Sequence, residues 1–406
     1  MRTKSVIMVE SSFSGHLFHR AIRQLGFVPI LLSSNAGRYR HLDTEGLVAV
    51  TTDTRNIDAV LETCIALSQT YEILGLLTSS SAYADIAATA CRSLGLSGPE
   101  PEAISMCLNK FEQRDRIKAA GLTSPAYLFT IDPDAAVRFA ERVGLPVILK
   151  PAVGAGSMGV RLCEDLPQVA AQAVHILNSS EFATSPGVLV EEYIIGPEFS
   201  VETIGDTVIG ITKKYLGDPP YFVEIGHDFP ADLDPHATAA IVETVKHAIR
   251  SLDLLWGPAH TELRFGPAGP TIIEVNPRMA GELIPQLVSL AYGIDPVLET
   301  VKLAVGLPVT LSGTRNRAAG IRFVNPEKDG FLHWHSDVHL AKNLEGVTDV
   351  EVYRGDGPRI RLGDFRDRLA HVIAVTPTIL QTQATLEKAI AALEAKITTS
   401  PNGGTD

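Results

Sequence analysis

The sequence predicts a mixed α/β and α+β chain of three units, and three observations lead there. Short apolar runs alternate with helix-like segments over residues 1–105. Strand and helix signals mix over residues 106–310, and short β-like pieces followed by one helix fill residues 311–406. At 406 residues the chain is also too long for one ordinary core.

In the first unit, Ser5–Val9 reads as a strand, followed by the loop Glu10–Gly15 and a helix to Leu25. Val28–Leu32 and Ile73–Leu77 are further strands, and Ala82–Leu94 is a helix. Alternation of this kind implies a parallel sheet with right-handed crossovers, a Rossmann-like unit. The loop Glu10–Gly15 lies where open α/β sheets bind ligands, but it lacks a dinucleotide fingerprint. It reads equally as a plain turn and as a substrate contact.

Pro99 and Pro101 close this unit, and one charged helix is expected over Ala103–Ala120, stopped by Gly121. The middle unit then has strands at Pro146–Lys150, Val188–Glu192, Phe199–Ile204 and Val208–Lys214, with helices near 133–143 and 165–178. A helix at 235–252 precedes the strands 259–265 and 270–276. In the last unit Ala319–Val324, Val347–Tyr353 and Leu369–Thr376 read as strands and Ile379–Ile397 as a helix. The polar end from Ser400 to Asp406 is expected to be disordered.

Composition narrows the function. Hydrophobic residues at 45%, charged residues at 20% and 33 glycines describe an ordinary soluble protein. A formal charge of -12, without clustered Lys and Arg, argues against a nucleic-acid surface. Cys64, Cys91, Cys107 and Cys163 have no metal-type spacing and read as buried, reduced thiols. Val6–Val9 is too short for a signal-peptide core, and no run approaches the roughly 18 apolar residues of a membrane span. The expected location is the cytoplasm, and the expected partners are small molecules.

Chemistry concentrates in four segments. Thr271–Ile284 places Glu274, Asn276 and Arg278 at alternate positions of a strand, hence on one face. Such groups on an apolar strand are costly to desolvate unless a polyanion and a metal ion meet them there. Val147–Lys150 is an apolar strand ending in a lysine, before Gly154, Gly156, Ser157, Met158 and Gly159. A glycine-rich loop lets backbone amides approach phosphate, with Lys150 as a point charge, although no Walker A pattern closes it. Val188–Val201 reads as two strands around a connector, Glu191-Glu192-Tyr193-Ile194, whose backbone can pair with an adenine edge. Glu198 can accept from ribose hydroxyls. Finally, Glu262 lies on a strand joined to that of Glu274 by the turn Gly266–Pro270. Glu262, Glu274 and Asn276 are hard oxygen donors suited to Mg²⁺.

In this order, the segments resemble an ATP-grasp ligase over about residues 1–310. The resemblance implies ATP with Mg²⁺, Mn²⁺ being an alternative, and adds Lys110 on the linking helix as a phosphate ligand, with Arg114 behind it. Within that superfamily the chain is most similar to the L-amino acid ligases, through Glu224-Ile225-Gly226-His227, Ala259-His260-Thr261-Glu262 and the β-rich end. The resemblance places Glu224, His227 and His260 near the amino-acid substrates, Lys150 and Arg278 at the transferring phosphoryl group, and Leu216–Val223 as a lid. It also makes a homodimer the expectation.

The reaction implied is amide formation through an acylphosphate, with release of ADP and phosphate. An intramolecular, lactam-forming relative would use the same residues. A biotin-carboxylase type would need a carrier, and the chain has no Met-Lys-Met segment. A non-catalytic nucleotide-binding protein would be expected to lack one of these lysines or metal ligands, and none is missing.

Overall fold

A computed structural model describes residues 2–11, 15–39, 47–154, 158–182, 184–220, 222–334, 338–357, 359–361, 365–393 and 395–399. The expectations for Gly156, Ser157, the tip of the Glu10–Gly15 loop, Tyr221 and the polar C-terminal end lie outside the described residues.

The N-terminal strands β1 (Thr3–Val9), β2 (Val28–Ser33), β3 (Val48–Thr51) and β4 (Tyr71–Leu77) form a parallel sheet of order β3-β2-β1-β4. Val6–Val9 and Ile30–Leu32 are fully or almost fully buried, as expected of a parallel sheet covered on both faces. The charged helix expected over Ala103–Ala120 is two helices, Pro101–Leu108 and Lys110–Ala119. Asn109 breaks it: its backbone is extended, and its side chain caps the second helix by accepting from the amides of Phe111 and Glu112.

The next strands, β5 (Tyr127–Thr130), β6 (Val147–Pro151), β7 (Arg161–Cys163) and β8 (Val188–Glu192), make an antiparallel sheet of order β5-β8-β6-β7. Helices Pro133–Val143 and Leu166–Asn178 bury their apolar faces against it. The helices starting near Pro133, Pro167, Pro235 and Pro296 share one start signal. Asp132, Asp165, Asp234 and Asp295 each cap a helix whose first turn carries proline.

An eight-stranded antiparallel sheet forms the rest of the scaffold. Its members are β9 (Glu198–Ile204), β10 (Thr207–Leu216), β11 (Glu224–Phe229), β12 (Pro258–Gly266), β13 (Gly269–Asn276), β14 (Ala318–Val324), β16 (Val347–Val352) and β18 (Ala370–Thr376). The order is β13-β12-β9-β10-β11-β14-β18-β16, so the C-terminal segment extends the sheet that carries the acidic strands. Strands β15 (Gly330–Trp334), β17 (Arg359–Ile360) and β19 (Ala395–Thr398) form a small separate sheet. The terminal helix ends at Ala391, short of the expected Ile397. Ile397 instead lies on β19 and packs with Leu332 and Ile360, where a β-branched residue suits the pleated surface.

Candidate active site

Between the β5–β8 sheet and the eight-stranded sheet lies a cavity of about 540 Å³. Lys110, Lys150, Gly154, Met158, Glu191, Glu192, Tyr193, Ile194, Glu198, Glu224, His260, Glu262, Glu274, Asn276 and Arg278 all line it. Antiparallel pairing sets Glu262 directly opposite Glu274 and His260 opposite Asn276, as the turn at 266–270 predicts. Strict alternation fails in one place. The register shifts between Glu262 and Leu263, leaving Ile273 unpaired on β13, and Ile273 and Glu274 both line the cavity.

At one end, Arg114 is 2% exposed and Glu191 3%. The Arg114 Nε donates to Glu191 Oε1 at 2.8 Å, while its Nη atoms donate to the carbonyls of Ile272 and Ile273 at 2.6 and 2.7 Å. Lys150 Nζ lies 2.6 Å from the other Glu191 oxygen. Burial alone would raise the Glu191 carboxyl, but the two cations outweigh it and hold the group below its ordinary range. Glu191 therefore locks β8 to β6 and to the linking helix through its side chain, and through Arg114 to β13, while its backbone stands in the ladder between β5 and β6. Lys110 Nζ donates to the Gly154 carbonyl and to Glu274 Oε1, each at 2.7 Å, tying the glycine-rich loop to the acidic strand.

Gly159 does not line the cavity; it shapes the loop. Its φ of +73° is left-handed, and a Cβ there would come within 2.8 Å of the Phe182 ring.

In the middle of the cavity, Lys214 Nζ sits 2.9 Å from Glu262, 3.2 Å from Glu198 and 3.5 Å from Glu224. Glu198 also accepts from Arg264 Nε at 3.0 Å. His260 bridges two carboxylates, with Nδ1 2.8 Å from Glu202 and Nε2 3.1 Å from Glu262. Burial opposes its charge, yet Glu202 and Glu262 raise the imidazole to about 9. Both imidazole nitrogens thus face carboxylates, and His260 ties Glu262 to Glu202.

Among the described residues no group of three or more His, Cys, Asp or Glu side chains could hold a metal by itself. Glu262, Glu274 and Asn276 nevertheless fit magnesium, because that ion keeps several waters and draws further ligands from phosphate oxygens.

The other end of the cavity is built around Glu224 and Glu282, with His227 behind it. His227 is fully buried and does not line the cavity. It lies one layer back, its Nε2 2.6 Å from Glu282 Oε2, and Glu282 is the cavity residue. Arg368 pairs with Glu282 and, at 3.1 Å, with Glu224, and its guanidinium sits 4.0 Å above the Phe323 ring. Burial and the neighbouring Glu282 raise Glu224 to about 7, while Arg368 and His227 overcome burial to hold Glu282 well below the usual carboxylate range. Phe222, Glu282 and Leu283 line the cavity with positive φ values, local strain of the kind that concentrates at functional sites.

Arg278 differs from the other cavity guanidinium groups. Its Nε donates to Ser81 and its Nη1 to the Met279 carbonyl, and no carboxylate pairs with it among the described residues. It is the cation best placed to receive a new anion.

Sequence reasoning missed Ser81, Lys214, Arg264, Glu282, Phe323, Tyr353 and Arg368. Arg264 was within reach, since it follows Glu262 by two on the same strand face. Lys214 is a charge at the end of an apolar strand. The rest are assembled by topology and carry no local signal.

The comparisons agree with this geometry. The ATP-grasp domain family matches residues 143–286, and the L-amino acid ligase C-terminal domain 2 matches residues 322–398. An uncharacterized protein, y4rH, from Sinorhizobium fredii is 36% identical over 97% of this chain and 83% of its own length. Dapdiamide A synthase of Enterobacter agglomerans is 26% identical over 88% of each chain. The crystal structure of an L-amino acid ligase from Bacillus licheniformis superposes with a TM-score of 0.83 at 20% identity, covering 98% of this chain and all of that one. The chain belongs to the ATP-grasp superfamily, among the ADP-forming carboxylate–amine ligases that carry the L-amino acid ligase C-terminal domain.

Proposed function

We propose that this protein joins the carboxylate of an amino acid to the amine of a second small molecule at the expense of ATP. The observation that supports this most is one cavity in which Lys110, Lys150, the paired Glu262 and Glu274, and Arg278, which has no carboxylate partner among the described residues, stand together with Glu224, Glu282 and Arg368. A carboxylate oxygen of the acid attacks the γ-phosphorus and ADP departs. The amine nitrogen then attacks the carbonyl carbon of the acylphosphate, and phosphate leaves with the shared oxygen.

Acid and triphosphate are both anions, so their approach needs neutralised charge and fixed orientation. Lys110 and Lys150 bind phosphate oxygens, the backbone of residues 192–194 pairs with the adenine edge, and Glu198 accepts from the ribose. Glu262, Glu274 and Asn276 would hold magnesium, which supplies positive charge to the triphosphate. Arg278, with its planar fork free of acidic partners, stabilises the transferring phosphoryl group and the later oxyanion. Gly154 and Met158 on one segment and Leu216 and Phe222 on another line the cavity, and these residues shield the acylphosphate from water.

The four described cysteines are free and buried, in keeping with a reducing cytoplasm. No described helix is long and apolar enough to cross a membrane.

Phosphate release with ATP and paired amino acids, followed by mass spectrometry of products, tests the proposal. ADP formation that requires two amino acids, with a condensed product, is expected. Turnover on one substrate with loss of water would indicate lactam formation, and AMP as the nucleotide product would contradict the reading.

A further inference from the structure

The C-terminal segment brings a three-residue relay to the cavity that the functions above do not use. Tyr353 lines the cavity beside Phe323, Arg368 and Glu282. Its hydroxyl lies 2.6 Å from Nδ1 of His371, which is fully buried, and His371 Nε2 lies 3.2 Å from Asp349 Oδ2. The fold fixes this arrangement. On the paired strands β16 and β18, His371 stands opposite Glu351, with Asp349 two residues away along the same face. The Tyr353 amide, just past β16, donates to the Leu369 carbonyl at 2.8 Å and holds the ring at the strand end.

The chemistry of these groups sets the direction of the hydrogen bonds. A carboxylate only accepts, so His371 carries its proton on Nε2, toward Asp349. In the neutral ring Nδ1 is then a lone pair, and the Tyr353 hydroxyl donates to it. Burial, with Glu351 adding to it, pushes the phenol up, so the hydroxyl keeps that proton. What Tyr353 has left to offer the cavity is the lone pairs of its oxygen.

An oxygen that can only accept repels a carboxylate and suits an N–H donor. The amine has to reach a face of the acylphosphate carbonyl as a neutral nitrogen, and its N–H bonds can then be held by acceptors around it. Tyr353 lines the cavity with Phe323 and Arg368, and Glu224 and Glu282, both paired with Arg368, supply further acceptors there.

We propose that Tyr353, oriented by His371 and Asp349, is a specificity residue that accepts a hydrogen bond from the attacking amine of the second substrate. This rests on the amide-forming reading given above. Tyr353 touches the amine, whereas His371 and Asp349 are positioning residues acting through it. The role also assigns a task to the C-terminal segment: it supplies part of the amine site.

The test uses the full chain with ATP, an acid substrate and an amine substrate identified by product analysis, alongside hydroxylamine as a trap for the acylphosphate. Tyr353→Phe is expected to raise KM for the amine up to about tenfold, the size of one neutral hydrogen bond, while KM for ATP moves less than about twofold. His371→Leu should reproduce that split. His371→Asn, which returns an acceptor oxygen close to the Nδ1 position, should restore most of the amine affinity. Melting temperatures of all three variants separate a folding defect from the effect on KM.

An unchanged amine KM in Tyr353→Phe would overturn the proposal, as would equal KM values in the His371→Leu and His371→Asn variants. A rise in KM for the acid instead of the amine would also overturn it. Failure of the unsubstituted chain to give acid-dependent hydroxamate counts against amide formation itself and removes the proposal with it.

Discussion

At one end of the cavity Arg114, Lys150 and Glu191 form a closed, buried charge cluster that ties the linking helix to β6, β8 and β13. At the other end Arg368 spans Glu224 and Glu282, which come from well-separated parts of the chain and meet through the strand order β11-β14-β18. Lys150 and Glu191 of the first cluster line the cavity, beside Lys110 and Glu274. Glu224, Glu282 and Arg368 of the second line it as well, with positive φ at Glu282 and at Leu283 beside it. The first cluster thus joins a helix to neighbouring strands, whereas the second is brought together across the larger sheet; under the proposed function the first serves the nucleotide and the second the amino-acid substrates.

That contrast can be broken by substitution. The largest effect is expected for Arg114→Met, which leaves Glu191 with Lys150 alone and removes donors from two buried carbonyls. Removing one partner of a buried pair typically costs about 3–5 kcal/mol, read by denaturant unfolding. The same cluster gives a pH signature. Because its cations hold Glu191 below its ordinary value of 4.5, that stabilisation is complete above about 4.5 and is lost as pH falls through the lowered value. Glu191→Gln should flatten the acid side of the stability profile.

Next in size is Arg278→Ala. It should fold and bind nucleotide but lose on the order of 3 kcal/mol of transition-state stabilisation, a fall of roughly a hundredfold or more in kcat. Near-normal turnover would remove Arg278 from the chemistry. The smallest effect, about tenfold or 1.4 kcal/mol, is expected for Arg368→Ala on KM for the amino-acid substrates, with nucleotide affinity unchanged. Equal losses of nucleotide and amino-acid affinity would erase the distinction between the two ends.

The same distinction explains what could be read from the sequence. Lys150 before a glycine-rich loop, and Glu274 and Asn276 alternating on an apolar strand, are local patterns whose geometry follows from strand periodicity. Glu262 was legible because a short turn fixes its register against Glu274. Tyr353 and Arg368 were not, because they reach the cavity only through the pairing of β14, β16 and β18. The motif around His227 does not show its burial, which comes from packing behind Glu282. Asn109 shows how one capping side chain divides a helix that charge pattern alone leaves whole.

The central claim is that the acid's own oxygen passes to phosphate through an acylphosphate. Turnover of an acid substrate labelled with ¹⁸O in its carboxylate, with mass analysis of the released phosphate, tests it directly. The account predicts one ¹⁸O in each phosphate formed, together with ADP. Phosphate free of label, with all the ¹⁸O retained in the acid or product, would contradict it.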